Sequence, residues 1–131
     1  MRLLLDTHVW LWSLTEPNRL SRRARSAIAR NRDDLWLSPI STWELLVLVE
    51  RGRVRLDDEP RHWVREALGR SPVQEAALGH QVALRSREVG LPHEDPADRF
   101  IVATALVYEL TLVTADDTLL GARACPTLRG G

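Results

Sequence analysis

The sequence predicts an α/β domain on a parallel sheet, and three observations carry that expectation. Short apolar runs without alternation, Leu3-Leu4-Leu5 above all, read as strands buried on both faces. Longer segments of helical period lie between such runs, the pattern of βαβ units. Acids stand where strands and helices meet: Asp6 closes the first run, and Asp116 follows Leu112-Val113-Thr114-Ala115. In open α/β sheets ligands bind in the crevice beyond the carboxyl ends of the strands.

The elements follow in order. Residues 2–6 form the first strand, and residues 8–14 a short helix that stops before Pro17. Ser21 caps a helix from Arg22 to Arg32 with Ala24, Ala27 and Ile28 on its buried stripe. Leu35-Trp36-Leu37-Ser38 is a second strand, after which Pro39 opens a helix reaching about Arg51 and ended by Gly52. Asp57-Asp58-Glu59-Pro60 leads into a helix over roughly 60–69, Val73 to Ala77 is a short strand, and residues 79–90 are helical with Gly90 as the stop. Asp95-Pro96 starts a long helix over 97–109, Leu110 to Thr114 is a strand, and a last strand lies near Pro126 to Arg129. Four to five short strands are therefore expected in the central sheet.

With 131 residues and 44% hydrophobic content, the chain is expected to be one globular domain over 1–131. No apolar run approaches the roughly 20 residues of a membrane span, so no membrane partner is expected. The chain enters its first strand after a single Arg2, leaving no room for a secretory leader, and the cytoplasm is the expected compartment. A lone Cys125 excludes an internal disulfide and a cysteine-based zinc site. All 18 cationic side chains are arginine, for which a GC-rich genome is the simplest cause. The absence of lysine excludes Schiff-base chemistry and lysine phosphate ligands, while each arginine can grip a phosphate bidentately. The four histidines, His8, His62, His80 and His93, have no mutual metal-ligand spacing. His8 alone is expected near a site. Trp10 and Trp12 are the expected exposed apolar patch for a partner.

The candidate functional residues are Asp6, Glu44, Asp98 and Asp116. Asp6 is costly to bury unless paired or metal-bound, although it also suits an N-cap. Glu44 lies among Trp43, Leu45 and Leu46 on a helix with no convincing polar face. Asp98 falls in the first turn of the long helix, with Asp95 positioned to cap it; the same spacing permits the reverse assignment. Asp116 is preferred over Asp117 as the first residue past its strand, and either can cap a helical turn. Thr7 and Thr114 are expected to position a water or a phosphate oxygen. Carboxylates gathered at one end of a sheet repel one another unless a cation joins them, and Mg²⁺ suits an all-oxygen set.

Taken together, Leu3-Leu4-Leu5-Asp6-Thr7-His8, Ser41-Thr42-Trp43-Glu44, Asp95-Pro96-Ala97-Asp98-Arg99-Phe100-Ile101-Val102-Ala103-Thr104-Ala105 and Leu112-Val113-Thr114-Ala115-Asp116 resemble a PIN domain. More narrowly, they resemble the VapC-type ribonuclease toxins of bacterial toxin–antitoxin pairs. The resemblance covers essentially the whole chain and implies a three-layer α/β/α fold. It also implies Mg²⁺ or Mn²⁺ held by Asp6, Glu44 and Asp98 with Asp116 as a fourth acid, an RNA substrate, a VapB-type antitoxin partner and a homodimer. It assigns no role to Asp95, Arg99 or Asp117. The alternative is a catalytically silent PIN-like module that binds RNA or protein. A haloacid-dehalogenase arrangement fails because His8 stands where a second Asp is needed, and a nucleotide-binding module fails for want of a Gly-rich loop.

Overall fold

In the computed structural model, which describes all of residues 1–131, five parallel strands form one sheet in the order β3-β2-β1-β4-β5. The strands are β1 (Leu3–Leu5), β2 (Leu35–Leu37), β3 (Gln74–Glu75), β4 (Thr111–Thr114) and β5 (Thr127–Arg129). The helices are α1 (Thr7–Thr15), α2 (Arg22–Arg30), α3 (Pro39–Glu50), α4 (Pro60–Arg70), α5 (His80–Ser86), α6 (Pro96–Tyr108) and α7 (Asp117–Ala122).

Strand β1 is wholly buried, and its alternating side chains feed two separate cores. Leu3 and Leu5 join Val9, Trp10, Ala24, Leu45, Trp63 and Val113 on the side of α1 to α4. Leu4 joins Val82, Ile101, Val102, Leu112 and Leu119 on the side of α5 to α7. This is the expected three-layer α/β/α sandwich. Each leucine of β1 removes apolar surface from water at about 25 cal/mol per Å², which drives the sheet into the middle of the chain's hydrophobic mass.

The helix starts follow the sequence signals. Ser21 accepts a hydrogen bond from the Ala24 amide at 3.0 Å, Ser38 from Ile40 at 3.1 Å, and Glu59 from His62 at 2.9 Å. Pro39, Pro60 and Pro96 occupy first-turn positions where no N–H is missed. Gly52, at φ +71°, turns the chain out of α3 as expected.

Two expectations are corrected. Helix α5 ends at Ser86 rather than at Gly90. The Arg99 side chain, buried beneath this stretch, takes the carbonyls of Ser86 (2.9 Å), Val89 (3.4 Å) and His93 (3.2 Å). Carbonyls held by a guanidinium have left the helical ladder, so the chain loops. Trp10 is buried at 1% exposure, packed edge-on against Trp63 at 6.0 Å, and is no partner surface. Trp12 is half-buried, and Trp43 is the exposed tryptophan. Cys125 is half-buried, and burial pushes its thiol up to about 11, leaving it an inert filler.

Strand β5 closes against β4 through Gly130, whose amide donates to the Thr114 carbonyl at 2.7 Å and whose carbonyl accepts from Ser21. A Cβ at Gly130 would stand 2.6 Å from Val9 Cγ2 and 3.2 Å from the Thr114 carbonyl carbon. A branched helical side chain and a sheet backbone both yield poorly. Gly130→Ala is therefore expected to cost ~1–3 kcal/mol, read as a lower midpoint in urea with an unchanged slope.

Candidate functional site

The strand order changes direction between β1 and β4. From β1 the chain moves outward to β2 and β3, whereas from β4 it moves outward the other way to β5. The connection leaving β1 lies on one face and that leaving β4 on the other, because α1 belongs to the first core and α7 to the second. A crevice opens at such a switch point, beyond the carboxyl ends of both strands. Asp6 follows β1 and Asp116 follows β4, so the topology sets one acid on each side of that crevice.

Asp6 both caps and lines. Its Oδ1 accepts from the Thr7 amide at 2.9 Å at the start of α1, and its Oδ2 accepts from the Thr114 hydroxyl at 2.6 Å. The Asp116 amide donates to the same Thr114 oxygen at 3.1 Å. Thr114 is fully buried, so this relay locks the ends of β1 and β4 together. Asp116 caps α7 through one oxygen, Oδ1, which accepts from the amides of Thr118 (2.8 Å) and Leu119 (3.3 Å). Its Oδ2 makes no such bond. Asp117 turns away to Arg129 at 3.1 Å.

Glu44 projects from the middle of α3 and accepts a short hydrogen bond from the Thr7 hydroxyl. Thr7 is buried at the first position of α1, so this bond ties α3 to the end of β1. Neither threonine therefore offers its hydroxyl proton to the crevice as expected: Thr7 and Thr114 each spend it on a carboxylate. Asp98 sits in the first turn of α6, where the Asp95 side chain accepts from its amide at 3.2 Å. Asp95 is the cap, and the Asp98 carboxylate is left free of capping duty. His93 Nε2 lies 3.4 Å from Asp98 Oδ2, a neighbour that no motif in the sequence marked. Arg99 acts one step further back: by holding the carbonyls of residues 86, 89 and 93 it fixes the loop that delivers Asp95 and Asp98.

All of Asp6, Glu44, Asp98 and Asp116 line one cavity of about 730 Å³, together with Asp95 and, as expected, His8. Trp12 forms part of its wall. The sequence also left unmarked Arg53 and Arg55, which the Gly52 turn brings to the rim. No arginine forms an ion pair with any of these acids. Burial raises the Asp6 carboxyl, against the pull of its Thr114 and Thr7 bonds, and Asp116 adds repulsion. Burial likewise raises Glu44, opposed by the Thr7 bond and reinforced by Asp6. Asp98 is pushed up to about 7, first by burial and then by the charges of Asp95, Asp6, Asp116 and Glu44. The carboxylates share the cavity without closing on one point; nowhere in the chain do three His, Cys, Asp or Glu stand in ligating array. Mutual repulsion is the force that holds such acids apart, and an all-oxygen set with no arginine paired to it is the donor chemistry a hard divalent ion requires. The residues present fit such an ion.

The PIN domain family model matches residues 3–123. Ribonuclease VapC22 of Mycobacterium tuberculosis (strain ATCC 25618 / H37Rv) is 38% identical over 120 residues, covering 89% of this chain and 88% of that protein. Among solved structures, FitAcB from Neisseria gonorrhoeae superposes with a TM-score of 0.64 at 24% identity, over 97% of this chain and 96% of that one. VapBC2 from Rickettsia felis, bound to a DNA fragment from its promoter, superposes with a TM-score of 0.72 at 13% identity over the whole of both chains. These two structures show the fold. No helix of the chain is long and apolar enough to cross a membrane.

The raised Asp98 carboxyl has a sign. With a folded value of about 7 against an ordinary 3.8, the folded state holds more protons than the unfolded one between those limits. Its contribution to stability is present below pH 3.8 and is lost as pH rises through 7. Asp98→Asn in the metal-free protein should therefore match the wild type near pH 4 and exceed it by about 2 kcal/mol above pH 7, a figure discounted for partial exposure. Urea unfolding across this range in EDTA measures the difference; a constant offset at every pH contradicts it.

Proposed function

The chain belongs to the PIN-domain family, and we propose that it is a VapC-type endoribonuclease toxin that hydrolyses RNA phosphodiester bonds with a divalent metal and is restrained by a VapB-type antitoxin. We read residues 1–131 as a single PIN domain. The observation that supports this reading most is the cavity at the sheet's switch point, lined by Asp6, Glu44, Asp98 and Asp116, with the carboxyls of Asp6, Glu44 and Asp98 raised and no arginine paired to any of the four. The relationship to a ribonuclease over most of both chains supports the reaction class. Solved relatives described as toxin–antitoxin and VapBC complexes support the inhibitor.

In this reading Asp6, Glu44, Asp98 and Asp116 hold Mg²⁺ or Mn²⁺. When bound, the ion supplies a low-pKa water and neutralises charge on the scissile phosphate. The remaining work falls to the chain. The Thr7 amide and the Thr114 hydroxyl hold the two oxygens of Asp6 in place, and the Thr7 hydroxyl takes Oε1 of Glu44 and leaves Oε2 to the cavity, the role that outer hydrogen bonds play around metal ligands. Capping occupies one oxygen of Asp116 and leaves the other available. Asp95 holds the first turn of α6, and with it Asp98, facing the crevice. His93 stands beside Asp98, its Nε2 3.4 Å from Oδ2, within reach of the carboxylate edge that faces the cavity.

Purified protein given a mixed RNA pool with Mg²⁺, Mn²⁺ or EDTA tests the reading. Cleavage is expected with metal and not with EDTA. Asp6→Asn and Asp98→Asn should each lose at least about 100-fold in rate, since loss of even the outer partners of metal ligands costs 10–100-fold. Mg²⁺ should raise the melting temperature of the wild type and not that of Asp6→Asn. RNA cleavage by Asp6→Asn at the wild-type rate refutes the assignment. A wild type that binds RNA in metal without cutting it identifies the silent module instead.

A further inference from the structure

We infer that three adjoining cavities form one trench for the sugar–phosphate backbone of single-stranded RNA, jointed by Arg55 and Arg70 and ending at Arg32. The inference rests on the nuclease reading, because the trench begins at the carboxylate cavity. A second cavity of about 720 Å³ shares Thr15 and Arg55 with the first. A third of about 330 Å³ shares Ser13, Leu14, Arg70 and Ser71 with the second, and Arg32 lines it. An arginine thus stands at each junction and another in the last cavity.

The charge arrangement separates these arginines from their neighbours. Arg19, on the first cavity, is already engaged, with Glu16 at 3.4 Å and its guanidinium 4.7 Å from the Trp12 ring centre. Arg32, Arg55 and Arg70 are exposed and have no ion-pair partner within 4.0 Å. Across the two outer cavities these three arginines outnumber two aspartates, Asp33 and Asp57. A carboxylate floor repels a polyanion, so a substrate backbone must be held by cations away from the reacting phosphate. Cations set at intervals along a track suit successive phosphates, whereas one small anion needs them converged. Each guanidinium can grip two phosphate oxygens. Between the arginines the walls carry the half-buried Leu14, Leu56 and Val73, apolar surface suited to unpaired bases, as in channels that hold single strands.

The test uses the Arg55→Ala/Arg70→Ala double variant beside Arg65→Ala, an exposed arginine that lines none of these cavities. The probe is a single-stranded RNA of mixed sequence, about 20 nucleotides long, bound in EDTA across a salt series and then cleaved in Mg²⁺. The double variant should bind about tenfold more weakly, with the slope of log affinity against log salt shallower by roughly 1.4, or ~0.7 for each lost phosphate contact. It should raise KM by a similar factor while kcat changes far less. Its melting temperature should stay within about a degree of the control, because both side chains are exposed. Affinity, slope and KM all equal to those of Arg65→Ala overturn the trench and leave the nuclease standing. A wild type that neither binds nor cuts RNA overturns both. Poly-glutamate that binds as tightly as RNA, and weakens equally in the double variant, reassigns the trench to an acidic peptide.

Discussion

The pairing of β1 with β4 is the constraint on which the rest depends. It joins residues 3–5 to residues 111–113, the two ends of the domain in sequence, and it creates the reversal of strand order beside which the crevice opens. One buried side chain, Thr114, finishes that pairing by donating to Asp6 and accepting from the Asp116 amide. A buried hydroxyl with both partners supplied is stabilising, and one left with neither is costly. The polar groups that organise the site are therefore also part of what closes the sheet. Glu44 is bound into the same arrangement through Thr7, and Asp98 reaches it from the opposite helical layer.

The electrostatics oppose this geometry. Four carboxylates in one half-enclosed cavity, with Asp95 at its edge, repel one another. The structure answers with hydroxyls and amides rather than with arginines. Hydrogen bonds hold Asp6 and Glu44 in place without cancelling their charge, whereas an arginine would satisfy the acids and extinguish any demand for a metal. Such an arrangement trades stability for function, a common bargain at active sites. The one arginine buried in this region, Arg99, binds backbone carbonyls instead, and so shapes the loop before α6 while leaving the acids unpaired.

Much of this was legible in the sequence. The strands β1, β2 and β4 announce themselves because apolar runs flanked by helical segments have few other uses, and Ser21, Pro39, Gly52 and Asp95 mark helix ends through local chemistry that needs no tertiary knowledge. The acids were legible for a related reason: a carboxylate at the end of a buried strand is expensive, so its position is informative. What was not legible is long-range. Sheet order follows from how helices pack, and no local signal records it. Trp10 lies in a helix apolar on nearly every side, so no stripe distinguished its buried face from an exposed one. The true length of α5 depends on a guanidinium arriving from a segment that begins ten residues later. Thr7 and Thr114 lie beside the acids in sequence, but the direction of a hydroxyl is decided by which acceptor stands nearest in space. Arg53 and Arg55 reach the rim because Gly52 reverses the chain, a geometric result with no motif attached.

The spread of the site along the chain bears on how a cell makes this protein. A polypeptide emerges from the ribosome N-terminal end first and folds as it goes. Asp6 is made well before Asp116, with the hydroxyl that joins them at position 114. Until that stretch is synthesised, β1 has no β4 to pair with, and the carboxylates cannot be gathered. A nascent chain that has not reached residue 114 therefore lacks the four-acid cavity, which assembles only when β4 folds back onto β1.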